Sequence, residues 1–66
     1  MNVCINDERR DVPEGLSVAG LLEMLNLHPK RVAVERNRRI VRRMHFAETT
    51  LASDDRLEIV TLVGGG

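Results

Sequence analysis

The sequence contains no tryptophan and no tyrosine, and its single phenylalanine is Phe46. A protein that stacks single-stranded bases needs several aromatic rings, so that class of nucleic-acid binder lacks its platform here. Only one cysteine is present, Cys4, which excludes an intramolecular disulfide. That cysteine and two widely separated histidines, His28 and His45, give no metal-ligand spacing. Small domains often rely on disulfides or metals. This one must be held by packing alone, as suits a reducing cytosol. No apolar stretch approaches the ~20 residues of a membrane span. The opening Met1-Asn2-Val3-Cys4-Ile5 runs into charges rather than into the long apolar region of a secretory signal. The absences lead us to expect a soluble, cytoplasmic protein with no bound metal or cofactor and no membrane partner.

What is present describes a folded chain. Its 66 residues allow one domain. A chain so short buries only about 60% of its unfolded surface, so a deep enclosed active site is not expected. Apolar residues make up 42% and charged residues 30%, which is not the composition of disorder. Formal net charge is zero, yet residues 30–43 hold seven of the ten basic side chains: Lys30, Arg31, Arg36, Arg38, Arg39, Arg42 and Arg43. Only Glu35 opposes them, so the segment carries +6 and the remainder −6. Such a segment suits the solvated faces of two edge strands, where cations discourage sheet-to-sheet association. It also suits docking to an acidic partner or to phosphate backbones.

Met1, Val3 and Ile5 alternate with Asn2, Cys4 and Asn6, the period of a strand with one buried face. Asn6-Asp7-Glu8 supplies turn chemistry, and a second short strand around Arg9 to Val12 completes a hairpin that Pro13-Glu14-Gly15 ends. Ser17 is the expected N-cap of a helix. Val18, Leu21, Leu22 and Leu25 then lie on one helical face. Gly20 within it costs roughly 1 kcal/mol against Ala, which a close approach to the sheet would justify. Pro29 is expected to end the element. The β-branched run from Arg31 to Arg36 reads as a strand, Asn37-Arg38 as a turn, and Ile40-Val41 as a short strand. Met44, Phe46 and Leu51 are expected to plug one end of the core around a short helical turn. Ser53-Asp54-Asp55 is a turn, and Leu57 to Leu62 the last strand. The layout is α+β: about five strands in a mixed sheet, with one main helix on one face.

The tail Val63-Gly64-Gly65-Gly66, the preceding Asp55-Arg56-Leu57-Glu58-Ile59-Val60, the segment Arg31-Val32-Ala33-Val34-Glu35 with Asn37 and Ile40-Val41, and the helix Ser17-Val18-Ala19-Gly20-Leu21-Leu22 together resemble the ThiS family of sulfur carriers. The likeness covers essentially the whole chain. The terminal glycines alone are shared with MoaD and ubiquitin-like proteins. The resemblance implies a β-grasp domain over residues 1–62 and a flexible tail over 63–66. It implies that a ThiF-like adenylyltransferase uses ATP to adenylate the carboxylate of Gly66. Sulfur from a cysteine desulfurase or another donor then makes a thiocarboxylate, and a ThiG-like thiazole synthase takes that sulfur for the thiazole of thiamin. The chain is then a co-substrate rather than an enzyme. The family commonly has Gly where this chain has Arg38. A left-handed Arg is disfavoured by about 1 kcal/mol, so a different turn type is expected. It often has Pro at Arg42 and Trp at Phe46.

Elementary chemistry agrees with such a tail. A carboxylate is a poor electrophile and must be activated, in a pocket belonging to another protein. Glycine lacks Cβ, so Gly64, Gly65 and Gly66 make a thin, adaptable thread whose bare amides a groove can bind as a sheet edge binds a strand. Ordering it costs ~1–2 kcal/mol per residue, which suits a carrier that must leave each partner. Affinity then has to come from the folded face. Val60, Leu62 and Val63 are the candidate apolar docking residues, the alternative being that Val60 and Leu62 fill a small cluster beneath a loop.

Several features have plainer readings. A Gly-rich end is also a linker or a cloning remnant. Cys4, on the outward alternation of the first strand, reads as a small structural residue rather than a sulfur relay. His28 and His45 have no partnered carboxylate at useful spacing. Asp54 and Asp55 read as turn-capping residues. Three further functions compete: a sulfur carrier for molybdopterin, cysteine or tRNA thiolation; a small nucleic-acid-binding module using residues 30–43; and a ubiquitin-like protein conjugated to lysines.

Overall fold

Two tight turns organise the sheet. The computed structural model describes residues 1–63, and Gly64, Gly65 and Gly66 lie outside the described residues. Asn6 and Asp7 have φ of 49° and 67°, and Asn37 and Arg38 have φ of 52° and 70°. A two-residue hairpin loop needs both central residues at positive φ to match the twist of its strands. The first turn joins β1 (Asn2–Ile5) to β2 (Glu8–Asp11), and the second joins β3 (Val32–Arg36) to β4 (Arg39–Val41). Arg38 therefore occupies the left-handed region where another turn type was expected. The local cost is outweighed by the bonds that Asn37 makes beside it.

Those bonds go to β5 (Arg56–Thr61). Asn37 N–H donates to the Arg56 carbonyl at 2.7 Å, and Asn37 Oδ1 accepts from Arg56 N–H at 2.9 Å. Asn6 does the equivalent from the other hairpin. Its Nδ2 donates to the Ile59 carbonyl at 3.0 Å, and its Oδ1 accepts from Ile59 N–H at 2.8 Å. Each turn thus uses an asparagine to grip the last strand. The sheet order is β2-β1-β5-β3-β4, with β5 parallel to β1 and antiparallel to β3. β3 is consequently an inner strand. The basic segment does not cover two edge strands, because only β4 of that pair lies at an edge.

One helix, α1 (Val18–Met24), covers one face of the sheet. Ser17 Oγ accepts from Gly20 N–H at 3.0 Å, as an N-cap should. The helix stops before Pro29. Leu25 is its C-cap and Asn26 takes φ of 58°, a left-handed ending that Asn tolerates. Pro29 instead begins a 3-10 turn over Pro29–Arg31, where its missing N–H is not needed. A Cβ on Gly20 would come within 2.7 Å of Leu16 Cδ1, so the close neighbour is the Leu16 side chain rather than the sheet.

Val18, Leu21 and Leu22 from the helix meet Val3, Ile5, Val32, Val34, Leu57 and Ile59 from the sheet. Fully burying such a side chain contributes about 1.5–3 kcal/mol. Phe46 and Leu51 close one end, each 4% exposed. Met44 does not join them and is 72% exposed. It sits in the middle of a 3-10 turn, Arg43–His45, whose outer side it occupies. The segment after that turn is fixed by the helix start: Ala19 N–H donates to the Phe46 carbonyl at 3.0 Å and Val18 N–H to the Thr49 carbonyl at 2.9 Å. These bonds satisfy amides that a helix start leaves unpaired.

Candidate functional site: the open sheet face and the chain end

The face of the sheet away from α1 is bare. On β5, Leu57 and Ile59 point inward, so Val60 points out, and Leu62 two positions on does the same. Val60 is 58% and Leu62 50% exposed, with no loop over them, so the buried-cluster alternative does not hold. Val63 is 96% exposed. The last strand keeps its order to its end, since Leu62 N–H donates to the Arg31 carbonyl at 2.7 Å. At its exit the strand is held by β3 alone, since β1 pairs with Arg56 and Leu57 and the Asn6 side chain reaches only Ile59. Gly64, Gly65 and Gly66, the tail residues expected from sequence, lie outside the described residues.

Sequence reasoning missed two members of this face. Ala33 is exposed directly across from Val60. Ile40, 75% exposed, sits opposite Glu35 on β4. The alternation of Val32 and Val34 inward would have placed Ala33 outward. Glu35 and Glu58 oppose each other across β3 and β5 and form an acidic border to the apolar strip. With Asn37, Arg38 and Arg56 they line a shallow cleft of about 430 Å³. Cys4 is half-buried on the same face, with Arg9 and Arg56 opposite it on the flanking strands.

Among the described residues the one buried charged side chain, Asp55, fixes the start of β5. Asp55 Oδ2 accepts from Ala52 N–H at 2.8 Å and from Arg36 Nε at 2.7 Å, and Oδ1 accepts from Asn37 Nδ2 at 3.0 Å. Burial pushes its carboxyl up. The bonds from Ala52, Asn37 and Arg36 outweigh that and hold it below the ordinary aspartate value. Its capping role is as expected, and it is also the anchor of an ion pair. Asp54 is exposed and meets Arg9 Nη2 at 3.2 Å. His45 does have a carboxylate partner, Glu48, three residues on in the same loop, an i,i+3 spacing that any helical turn brings together. His28 Nδ1 accepts from Lys30 N–H at 3.1 Å. Among the described residues no group of three His, Cys, Asp or Glu side chains converges as metal ligands would.

One helix on a five-stranded mixed sheet of order β2-β1-β5-β3-β4, with an exposed apolar strip on the other face, defines a small β-grasp domain. The ThiS family model matches residues 3–66, and the chain belongs to the ThiS family. It is similar to the thiamine biosynthesis protein ThiS of Geobacter metallireducens, whose crystal structure superimposes with a TM-score of 0.86 at 33% identity, covering the whole of both chains. It is also 38% identical to a thiazole synthase of Magnetococcus marinus and 39% identical to one of Paramagnetospirillum magneticum. Both alignments use all of this chain, which spans about a fifth, 20%, of the length of each of those proteins. No helix among the described residues is long and apolar enough to cross a membrane.

Proposed function

We propose that this chain carries sulfur for the thiazole ring of thiamin, in the cytoplasm, as a co-substrate rather than an enzyme. The carboxylate of Gly66 attacks the α-phosphorus of ATP held by a ThiF-like adenylyltransferase, releasing pyrophosphate and leaving an acyl-adenylate. Sulfide from a donor displaces AMP and leaves a thiocarboxylate directly; the persulfide of a cysteine desulfurase displaces AMP to give an acyl disulfide, which a thiol reduces to release the thiocarboxylate and a disulfide. A ThiG-like thiazole synthase accepts that sulfur. ATP and any cofactor belong to those partners. Val60, Leu62 and Val63, with Ala33 beside Val60, supply the contact that the thin tail cannot.

The observation that carries this reading is the bare apolar strip next to the point where the chain end leaves β5. Family membership and the thiamine-biosynthesis and thiazole-synthase names of its relatives support the choice of pathway. The test is intact mass after incubating the chain with a ThiF-like enzyme, ATP and a sulfide source. The expected product is heavier by the difference between sulfur and oxygen, and a chain lacking Gly66 stays unmodified while keeping its circular dichroism spectrum. An unmodified full-length chain under conditions where a known ThiS is converted would overturn the proposal.

A further inference from the structure

Arg38, Arg39, Arg42 and Arg43 are all exposed and run along β4 and the turn that follows it. Three other arginines have carboxylate partners: Arg9 meets Asp54, Arg36 meets Asp55 and Arg56 meets Asp7, while Arg10 and Arg31 stand singly elsewhere. Among the described residues none of the four along β4 meets a carboxylate, although Glu35 lies beside them on β3. Ile40, 75% exposed, stands between them and Met44, 72% exposed, directly follows Arg43. β4 is also an edge strand, and an edge presents unpaired N–H and C=O groups.

We propose that this edge is a second docking surface, distinct from the tail and from Val60 and Leu62, whose occupant is an extended acidic segment of a partner protein. The segment adds as a strand beside β4, seats its apolar residues on Ile40 and Met44, and pairs its carboxylates with the four guanidiniums. The charge selects the sign of the partner, since each guanidinium can receive a carboxylate through two parallel N–H bonds. The apolar residues select a protein rather than a nucleic acid. Phosphate backbones gain nothing from an exposed Ile and Met, and the only aromatic, Phe46, is buried and cannot stack bases. Backbone pairing at the edge gives affinity, and the flanking side chains give specificity. Exposed ion pairs are individually weak. Their joint effect is steering, so association should weaken steeply with salt. The proposal does not depend on the carrier reading, because it uses neither the tail nor Val60, Leu62 and Val63, and Ile40 at the margin of the open face is the one residue of that face it engages.

The test uses the full chain and three probes: a short peptide alternating aspartate with valine and leucine, a polyglutamate peptide of equal length, and a single-stranded RNA oligonucleotide. Binding is followed by isothermal titration and by backbone amide shifts. The alternating peptide should bind most tightly and shift amides of β4 and the turn after it. Arg39→Glu with Arg43→Glu should weaken it about tenfold or more. Ile40→Thr with Met44→Ser, a pair that keeps strand propensity at position 40, should weaken it by a similar factor with an unchanged melting temperature. Three results overturn the proposal: no binding of the alternating peptide, equal or tighter binding of polyglutamate or RNA, or affinity indifferent to both double variants.

Discussion

Replacing Asp55 with alanine removes one acceptor from three donors at once: Ala52 N–H, Arg36 Nε and Asn37 Nδ2, at 2.8, 2.7 and 3.0 Å. A hydrogen bond to a charged group contributes about 1.5–3 kcal/mol net. The three are not additive, because they share a carboxylate and Arg36 keeps 31% side-chain exposure through which water can replace its partner. Asn37 and Ala52 belong to exposed residues, so water can also replace part of what their donors lose. We therefore expect a loss of about 2–4 kcal/mol. A 66-residue domain has about 3–10 kcal/mol in total, so the variant should be partly unfolded at 37 °C or close to it, with a melting temperature lower by about 10–25 °C. Thermal and urea denaturation followed by circular dichroism measure this. The pH dependence gives a second reading with a fixed sign. The folded-state carboxyl is held below its ordinary value, so its contribution is present above about pH 4 and is lost as pH falls through the lower, folded value. Asp55→Asn should flatten that acid limb. A loss below about 1 kcal/mol, or parallel acid limbs for the wild-type and Asp55→Asn chains, would refute the anchoring role.

Arg38→Gly should stabilise the domain by about 0.5–1 kcal/mol, because glycine accepts the left-handed turn position without strain; a melting temperature equal to or below wild type would count against it. Phe46→Ala should cost about 3–5 kcal/mol, leaving a chain without a cooperative thermal transition, since Phe46 closes one end of the core at 4% exposure. Val60→Asp with Leu62→Asp should leave the melting temperature within a few degrees, as both side chains are half or more exposed, yet abolish conversion by a ThiF-like enzyme. Full conversion of that variant would remove the apolar strip from the docking account.

Local patterns disclosed the elements that local physics decides. The alternation of Val3 and Ile5, the cap at Ser17, the helical spacing of Val18, Leu21 and Leu22, and the position of the two Asn turns are stated within a few residues, whereas the left-handed Arg38 follows from the bonds of Asn37 to distant Arg56. Other features depended on partners far along the chain. That β3 is interior follows from its pairing with β5, which nothing between residues 31 and 36 announces. Met44 and Phe46 look alike as large apolar residues, and only the docking of the 43–51 loop on the helix start separates them. Pro29 looked like a terminator because prolines often are, while Asn26 had already ended the helix. Of the candidate site, Val60 and Leu62 were readable from period two along one strand. Ala33 and Ile40 joined them only once strands were placed side by side.

The paired grip of Asn6 and Asn37 on β5 has a mechanical consequence. Any protein that draws the residues beyond Val63 into a pocket pulls along β5, which pairs with β3 from Leu57 to Thr61 and with β1 at Arg56 and Leu57. Tension in that direction loads the ladder bonds and both asparagine amides together in shear, instead of peeling them one by one. Asn6→Ala or Asn37→Ala should therefore lower the force at which the domain yields when single molecules are extended from that end.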